Sequence, residues 1–406
     1  MLLGIAFLPL LVPHLWEHPA APAALVALCV LPALIDSVAA GNLHGIADGL
    51  GEYVAFIALI SALYVTAGGI HISGNPRGTP RVNASFLAVG AVAASLIGTT
   101  GASMLLIRPL LDANMERRHK THIVIFFILI VSNCGGLLTP LGDPPLYLGY
   151  LNGVPFSFPL TLWPAWVLAI GMLLAGFVFW DRRMYARESP ADLVLDEQHL
   201  TPLRIDGKAN MLVALGIIAT SAAGIPAGWR EAVFAALIIG SLAMTPARVR
   251  DANSFHYGPL KEVAILFLGI FITMVPAIEA LKDIAPHLPA DSAVGLFFMT
   301  GGLSSVLDNA PTYLIFASLA AERAGLGTDL GALCAHAPEL LAAISVGAVF
   351  MGANTYIGNG PNLLVKAVAE SAGDARVPMP HFVAYAALAV AILSPVYLAV
   401  VLVMFT

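Results

Sequence analysis

The sequence predicts an all-α polytopic membrane protein of two inverted repeats, with about 10 transmembrane helices plus two re-entrant hairpins and two broken helices. Three observations lead there. The 406 residues are 59% hydrophobic and 11% charged, with a mean hydropathy of +0.86, whereas soluble domains are about 45–50% apolar and about 25% charged. Apolar runs of about 20 residues, the length that spans a bilayer, recur along the whole chain. Two of these runs are interrupted by Gly- and Pro-rich stretches, one in each half. A broken helix at membrane depth is tolerated only inside protein or beside a wet cavity.

In chain order, spans are expected at residues 2–16, 22–40 and 53–72. The first has no basic leader and contains Pro9 and Pro13, so it reads as a short kinked span rather than a cleaved signal peptide. Segment 83–111 is apolar but is cut at Gly98-Thr99-Thr100-Gly101-Ala102-Ser103, which fits a re-entrant hairpin. The run 122–151 is broken between Ser132 and Pro145, where Gly135, Gly136, Pro140, Gly142, Pro144 and Pro145 remove helical restraint and backbone donors. A clean span at 160–180 completes a first repeat, 1–180.

The polar connector 181–208 precedes a second repeat, 209–406. It has spans at 209–225, 230–246 and 261–281, a hairpin at 292–322 cut from Ser304 to Pro311, a broken span at 338–371 interrupted from Gly352 to Asn362, and a final span at 381–404. Glu52 matches Glu262, 210 positions on, and Asn133 matches Asn354, 221 positions on. An odd number of crossings in each half inverts the second relative to the first. With the N-terminus outside, 14 of the 19 basic residues fall on the cytoplasmic side, which supports that orientation and places both termini outside.

Lipid is the expected surroundings, and nucleic acid is not an expected partner. Cys29, Cys134 and Cys334 lack the paired spacing of a zinc site or disulfide framework. No nucleophile-base triad or phosphate-cradling motif stands out, so the chain does not read as an enzyme. The interruptions instead collect small oxygen-bearing side chains around half-helix ends, the arrangement of an ion or substrate site. The first half offers Thr99, Thr100, Ser103, Ser132, Asn133, Thr139 and Asp143. The second offers Ser304, Ser305, Asp308, Asn309, Asn354, Thr355, Asn359 and Asn362.

Such oxygens suit a hard cation. A sodium ion is expected at Ser132, Asn133, Asp143, Asp308, Asn309 and Asn354, with no other cofactor. The same small polar residues also serve to satisfy broken backbone. Asp143 and Asp308, the carboxylates at symmetry-related breaks, are in addition candidate helix N-caps, since prolines follow each of them closely. Burial favours the neutral acid and a helix N-terminus the ionised one, so proton carrier and permanent cation ligand both stay open. Lys366 either meets an anionic substrate, balances Asp308 or snorkels to the interface. His122 and other histidines at span ends read as wet polar tips.

The stretches Ser132-Asn133-Cys134-Gly135-Gly136, Thr139-Pro140-Leu141-Gly142-Asp143-Pro144-Pro145, Asp308-Asn309-Ala310-Pro311, Gly352-Ala353-Asn354-Thr355 and Pro361-Asn362 resemble the ion transporter superfamily. That superfamily includes arsenite-efflux permeases, bacterial sodium/proton antiporters, divalent anion/sodium symporters and citrate transporters. The Gly-Asp-Pro-Pro form is similar to the arsenite-permease and antiporter branch, and the whole chain is similar to a short-chain group labelled either citrate transporter or sodium/proton antiporter. The resemblance implies a homodimer in a bacterial inner membrane, with a scaffold domain and a transport domain that moves as an elevator. The activity it implies is sodium/proton antiport, with sodium- or proton-coupled uptake of citrate or another dicarboxylate as the alternative.

Overall fold

A computed structural model describes residues 20–284 and 292–406, with isolated positions among residues 1–19. The span expected at 2–16 lies outside the described residues. The chain is an all-α polytopic membrane protein. Among the described residues seven helices are long and apolar enough to cross a membrane, or eight if a pair bent by 117° counts as one span.

The first described helices are α1, Ala21–Ala39, and α2, Leu43–Gly68, the latter starting ten residues before the expected span. A short strand β1, His71–Asn75, leads to α3, Pro80–Ile97, and α4, Thr99–Asp112, which pack against each other. The turn between them is made by Gly98 alone, whose φ of +81° suits a residue without Cβ; Thr99 to Ser103 already belong to α4. Next come α5, Thr121–Ile130, the break, and α6, Pro144–Leu151, which opens on proline at the helical position that needs no N–H. Helix α7 covers Trp163–Tyr185.

The connector read as a polar linker is structured. It holds α8, Pro190–Gln198, and β2, Thr201–Asp206, which pairs antiparallel with β1 in the register His71 to Asp206 and Ile72 to Ile205. Helices α9, Ala209–Ala222, and α10, Trp229–Met244, follow; at 14 and 16 residues they are shorter than a full span. After α11, Ala247–Ala252, and α12, Gly258–Ile284, the second hairpin is α13, Ala293–Ser304, and α14, Asn309–Arg323. A short α15, Leu330–His336, precedes the second broken helix, α16, Pro338–Met351, and α17, Gly360–Ser371. Helix α18, Phe382–Met404, ends the chain.

The half-helices that lead into the breaks are the innermost elements. Apolar all round, α5 is buried at every position from His122 to Ile130, and α16 from Leu341 to Met351. Outer helices keep apolar faces exposed, such as Leu28, Leu31 and Ile35 on α1 and Val383 on α18, where lipid replaces a protein partner. The helices form two packed groups: α1, α2, α9, α10 and α12 in one, the hairpins, broken helices, α7 and α18 in the other. The groups meet along α2 with α4 and along α12 with α14.

A charged network ties the connector to the first hairpin. Arg117 donates to Asp181 at 2.6 Å and lies 3.6 Å from Glu188, while His122 meets Asp181 at 2.8 Å and Asn83 donates to it at 3.1 Å. All five are buried. His122 is therefore not the wet tip the sequence predicts; it is the buried partner of an acid. Removing Arg117 would leave two carboxylates buried without their cation, a loss of about 3–5 kcal/mol. Arg117→Ala is expected to lower the thermal unfolding midpoint in detergent markedly. Arg118→Ala, which removes an exposed arginine, should leave it nearly unchanged.

Candidate functional site

Each hairpin and each broken helix contributes one helix that begins in the protein interior. Their N-cap positions are Gly98 for α4, Asp143 for α6, Asp308 for α14 and Asn359 for α17. Residues from all four beginnings meet at the Asp143 carboxylate. Its Oδ1 accepts from Thr99 Oγ1 at 2.9 Å and from Asn359 Nδ2 at 3.1 Å, and its Oδ2 accepts from Asn309 Nδ2 at 2.5 Å. Four helix N-termini thus direct partial positive charge at one buried carboxylate.

The network extends through both breaks. Asn359 Nδ2 also donates to Ser132 O at 3.1 Å and approaches Asn133 Oδ1 at 3.3 Å. Asn133 donates to Asn362 Oδ1 at 2.7 Å, and Asn362 donates to the carbonyls of Gly352 and Thr355, both at 2.9 Å. Ser103 and Ser132 hydroxyls are 2.8 Å apart. One acceptor of the network is left over: Asn309 Oδ1, on a fully buried side chain beside Asp143, has no hydrogen-bond partner among the described residues.

The remaining predicted residues flank this centre. Thr139 donates to Ser95 O, and Thr355 donates to Ser305 O at 2.5 Å. Ser95 Oγ donates to Gly135 O at 2.5 Å, and Ser305 Oγ to Met351 O at 3.1 Å. The amides of Leu141 and Ile357 donate to Thr139 and Thr355 Oγ1, both at 3.2 Å. The same hydroxyl locks therefore recur in the two halves. Asn354 bonds to Ser305 Oγ at 2.9 Å and accepts from Tyr397 at 2.8 Å; Ser304 donates to Ala348 O at 2.7 Å. Ser95 and Tyr397 escape sequence reasoning because an isolated serine or tyrosine in an apolar run carries no signal of a partner in another helix.

Several expectations change. Met351, Thr355 and Ile357 stand 216 positions after Gly135, Thr139 and Leu141, and the same offset carries Asp143 to Asn359. The counterpart of Asp143 is thus an amide, not Asp308, whose N-cap position corresponds to Gly98. Asn133 does not match Asn354 either: Asn133 bonds with Asn362 in the central network, whereas Asn354 belongs to the flanking lock. Asp308 is a true N-cap, accepting from Ala310 N at 3.2 Å, while Asp143 occupies the N-cap position with its carboxylate turned to other helices. Of the six residues expected around sodium, Ser132, Asn133, Asp143 and Asn309 share the central network; Asp308 and Asn354 do not. Lys366 is paired with Glu370 at 2.7 Å.

Two cavities adjoin the network. One of about 40 Å³ is lined by Asp143, Thr99, Gly98, Gly142, Leu63 and Tyr147 among others, and one of about 120 Å³ lies where the two helix groups meet. The larger has Asp308, Asn359 and Thr100 on one side and Phe56, Phe267 and Val263 on the other. Ile60, Tyr64, Thr100 and Pro144 line both. Among the described residues no Lys, Arg or His lines either one. Among the described residues no group of three or more His, Cys, Asp or Glu is arranged to hold a metal ion, so any ion here would be met by hydroxyl, amide, carbonyl and single-carboxylate oxygens.

Half-helices that converge on a polar centre between two groups of membrane helices define a transporter. Residues 1–405 match the profile of a family described as "putative citrate transport", and the chain belongs to that family, within the citrate-transporter-like branch of the ion transporter superfamily. No curated protein matches the chain.

The breaks leave no space for added atoms at Gly142. A Cβ there would run into the carbonyl of Gly136, and backbone cannot rotate away as a side chain would. Gly142→Ala is expected to destabilise the protein by about 1–3 kcal/mol and to disturb the Asp143 network. Gly171→Ala, where no atom lies within 4 Å, should leave thermal unfolding unchanged.

Proposed function

We propose that the chain is a secondary active transporter that exchanges sodium for protons, with Asp143 as the group that binds them in turn. The observation that carries this reading is the Asp143 carboxylate beside the unpartnered Asn309 oxygen, with no basic side chain lining either cavity. A free acceptor next to a carboxylate suits a cation or the O–H of a protonated acid, and it repels an anion. Asn133 Oδ1 and Ser132 O supply further oxygens of the kind sodium takes.

In this reading residues 1–180 and 209–406 are inverted repeats with about ten crossings in all, joined by 181–208 in the cytoplasm. The matching hydroxyl locks support the repeat. The split into two helix groups with a cavity between them supports movement of one group against the other, an elevator in a homodimer. The distribution of basic residues supports a cell-membrane location, the bacterial inner membrane, with both termini outside.

A second reading, sodium- or proton-coupled uptake of citrate or another dicarboxylate, is favoured by the family match and by four helix N-termini that offer positive ends to an anion. Purified protein in proteoliposomes separates the two. Under the first, an imposed sodium gradient drives proton flux, and Asp143→Asn lowers it by at least about a hundredfold, the loss of a binding charge. Asp308→Asn, which keeps a capping oxygen, lowers it by less than about tenfold. Wild-type exchange in Asp143→Asn overturns the antiport reading. Saturable labelled-citrate uptake driven by the same gradients, without sodium/proton exchange, establishes the second.

A further inference from the structure

The end of α7 carries a feature that ion exchange does not use. Two stripes of residues at four-residue spacing run along this helix: Ala175, Phe179 and Arg183 on one, Val178, Arg182 and the C-cap Ala186 on the other. Together they line a shallow groove of about 430 Å³, apolar towards the membrane interior and cationic at its end. The Arg183 guanidinium lies 4.0 Å above the ring of Phe179, which is 59% exposed. Helix α7 faces outward, with 33% of its span window buried.

Arg182, Arg183 and, just past the helix end, Arg187 are exposed, and none of the three forms an ion pair among the described residues. The acids next to them in sequence cannot serve. Asp181 is engaged by Arg117 and His122, and Glu188 by Arg117 and His119, and both carboxylates are buried. Thus the helix turns its negative charges into the protein and presents three uncompensated positive charges at the membrane edge. We infer that this groove is a binding site for one anionic phospholipid, with its phosphate held by Arg182 and Arg183 at the end of the groove and by Arg187 just beyond it, and an acyl chain along Phe179, Val178 and Ala175. The apolar wall selects a lipid over a free anion, because a soluble phosphate would need the arginines alone. Guanidinium groups suit phosphate through their forked donors.

Native mass spectrometry with phosphatidylglycerol, phosphatidylcholine and inorganic phosphate tests the site on the full chain, with thermal unfolding as a second readout. The wild type is expected to retain one phosphatidylglycerol in preference to phosphatidylcholine and to melt at a higher temperature with it. In Arg182→Gln/Arg183→Gln/Arg187→Gln retention should fall by about a hundredfold, at about 1 kcal/mol for each arginine. Arg183→Gln alone gives a partial loss should the triple variant fold poorly, Phe179→Ala weakens lipid retention, and Arg248→Gln, an exposed arginine elsewhere, changes nothing. Equal retention of phosphatidylcholine, undiminished phosphatidylglycerol in the arginine variants, or the same stabilisation by inorganic phosphate would each overturn the proposal.

Discussion

A buried carboxylate needs compensation, and the compensation for Asp143 comes from the arrangement of the whole bundle. A single donor pair could satisfy its oxygens. Here the donors stand at the beginnings of three other helices: Thr99 on α4, Asn309 on α14 and Asn359 before α17. Those beginnings exist in the interior only because the chain breaks twice and turns back twice inside the protein. The breaks in turn need the hydroxyl locks of Ser95 with Thr139 and of Ser305 with Thr355, which hold carbonyls and amides that no helix satisfies. The apolar half-helices α5 and α16 carry the breaks to the centre because they have no polar face to leave outside. Remove the carboxylate, and four positive helix ends face one another with nothing between them.

The fold was legible in the sequence where physical requirements leave marks in composition or order. Spans announce themselves by apolar length, and breaks by Gly and Pro. The helix pairs α3 with α4 and α13 with α14, and the interrupted pairs α5 with α6 and α16 with α17, change direction or break at those Gly- and Pro-bearing stretches. Contacts between remote side chains leave no such mark. The pairing of β1 with β2 joins residues 126 to 135 positions apart, Asn75 with Thr201 to His71 with Asp206, and nothing in Thr201–Asp206 distinguishes a strand from a polar linker. The burial of Arg117, Asp181 and Glu188 was likewise hidden, because charge in a connector ordinarily means solvent, and only tertiary placement turns it inward.

The site shows the same division. Residue types at the interruptions were readable, and most of the predicted oxygens do join one network or its flanking locks. Which residue corresponds to which was not. Matching by identity set acid against acid and asparagine against asparagine, whereas the hydrogen bonds match by position: Thr139 with Thr355, Gly135 with Met351, and hence Asp143 with Asn359. Sequence similarity between repeats favours identical letters. Structure favours equivalent positions, and Gly98 stands at the start of α4 where Asp308 stands at the start of α14, the aspartate capping with its side chain and the glycine supplying the tight turn.

The replacement of one acid by an amide has a physical consequence. Two carboxylates at these matched positions, in contact as Asp143 and Asn359 are, would both ionise only at high electrostatic cost, and one would hold a proton. Asparagine has the shape of a protonated aspartate and donates permanently where the acid would donate only when protonated. With Asn359 and Asn309 as donors, Asp143 is the one carboxylate inside the hydrogen-bonded network, so in the proposed exchange a proton or a monovalent cation neutralises it, while the second acid, Asp308, lines the adjoining cavity. The unpartnered oxygen of Asn309 then gives either guest its first neutral ligand, and an asymmetric pair of residues sets the charge of a nearly symmetric site.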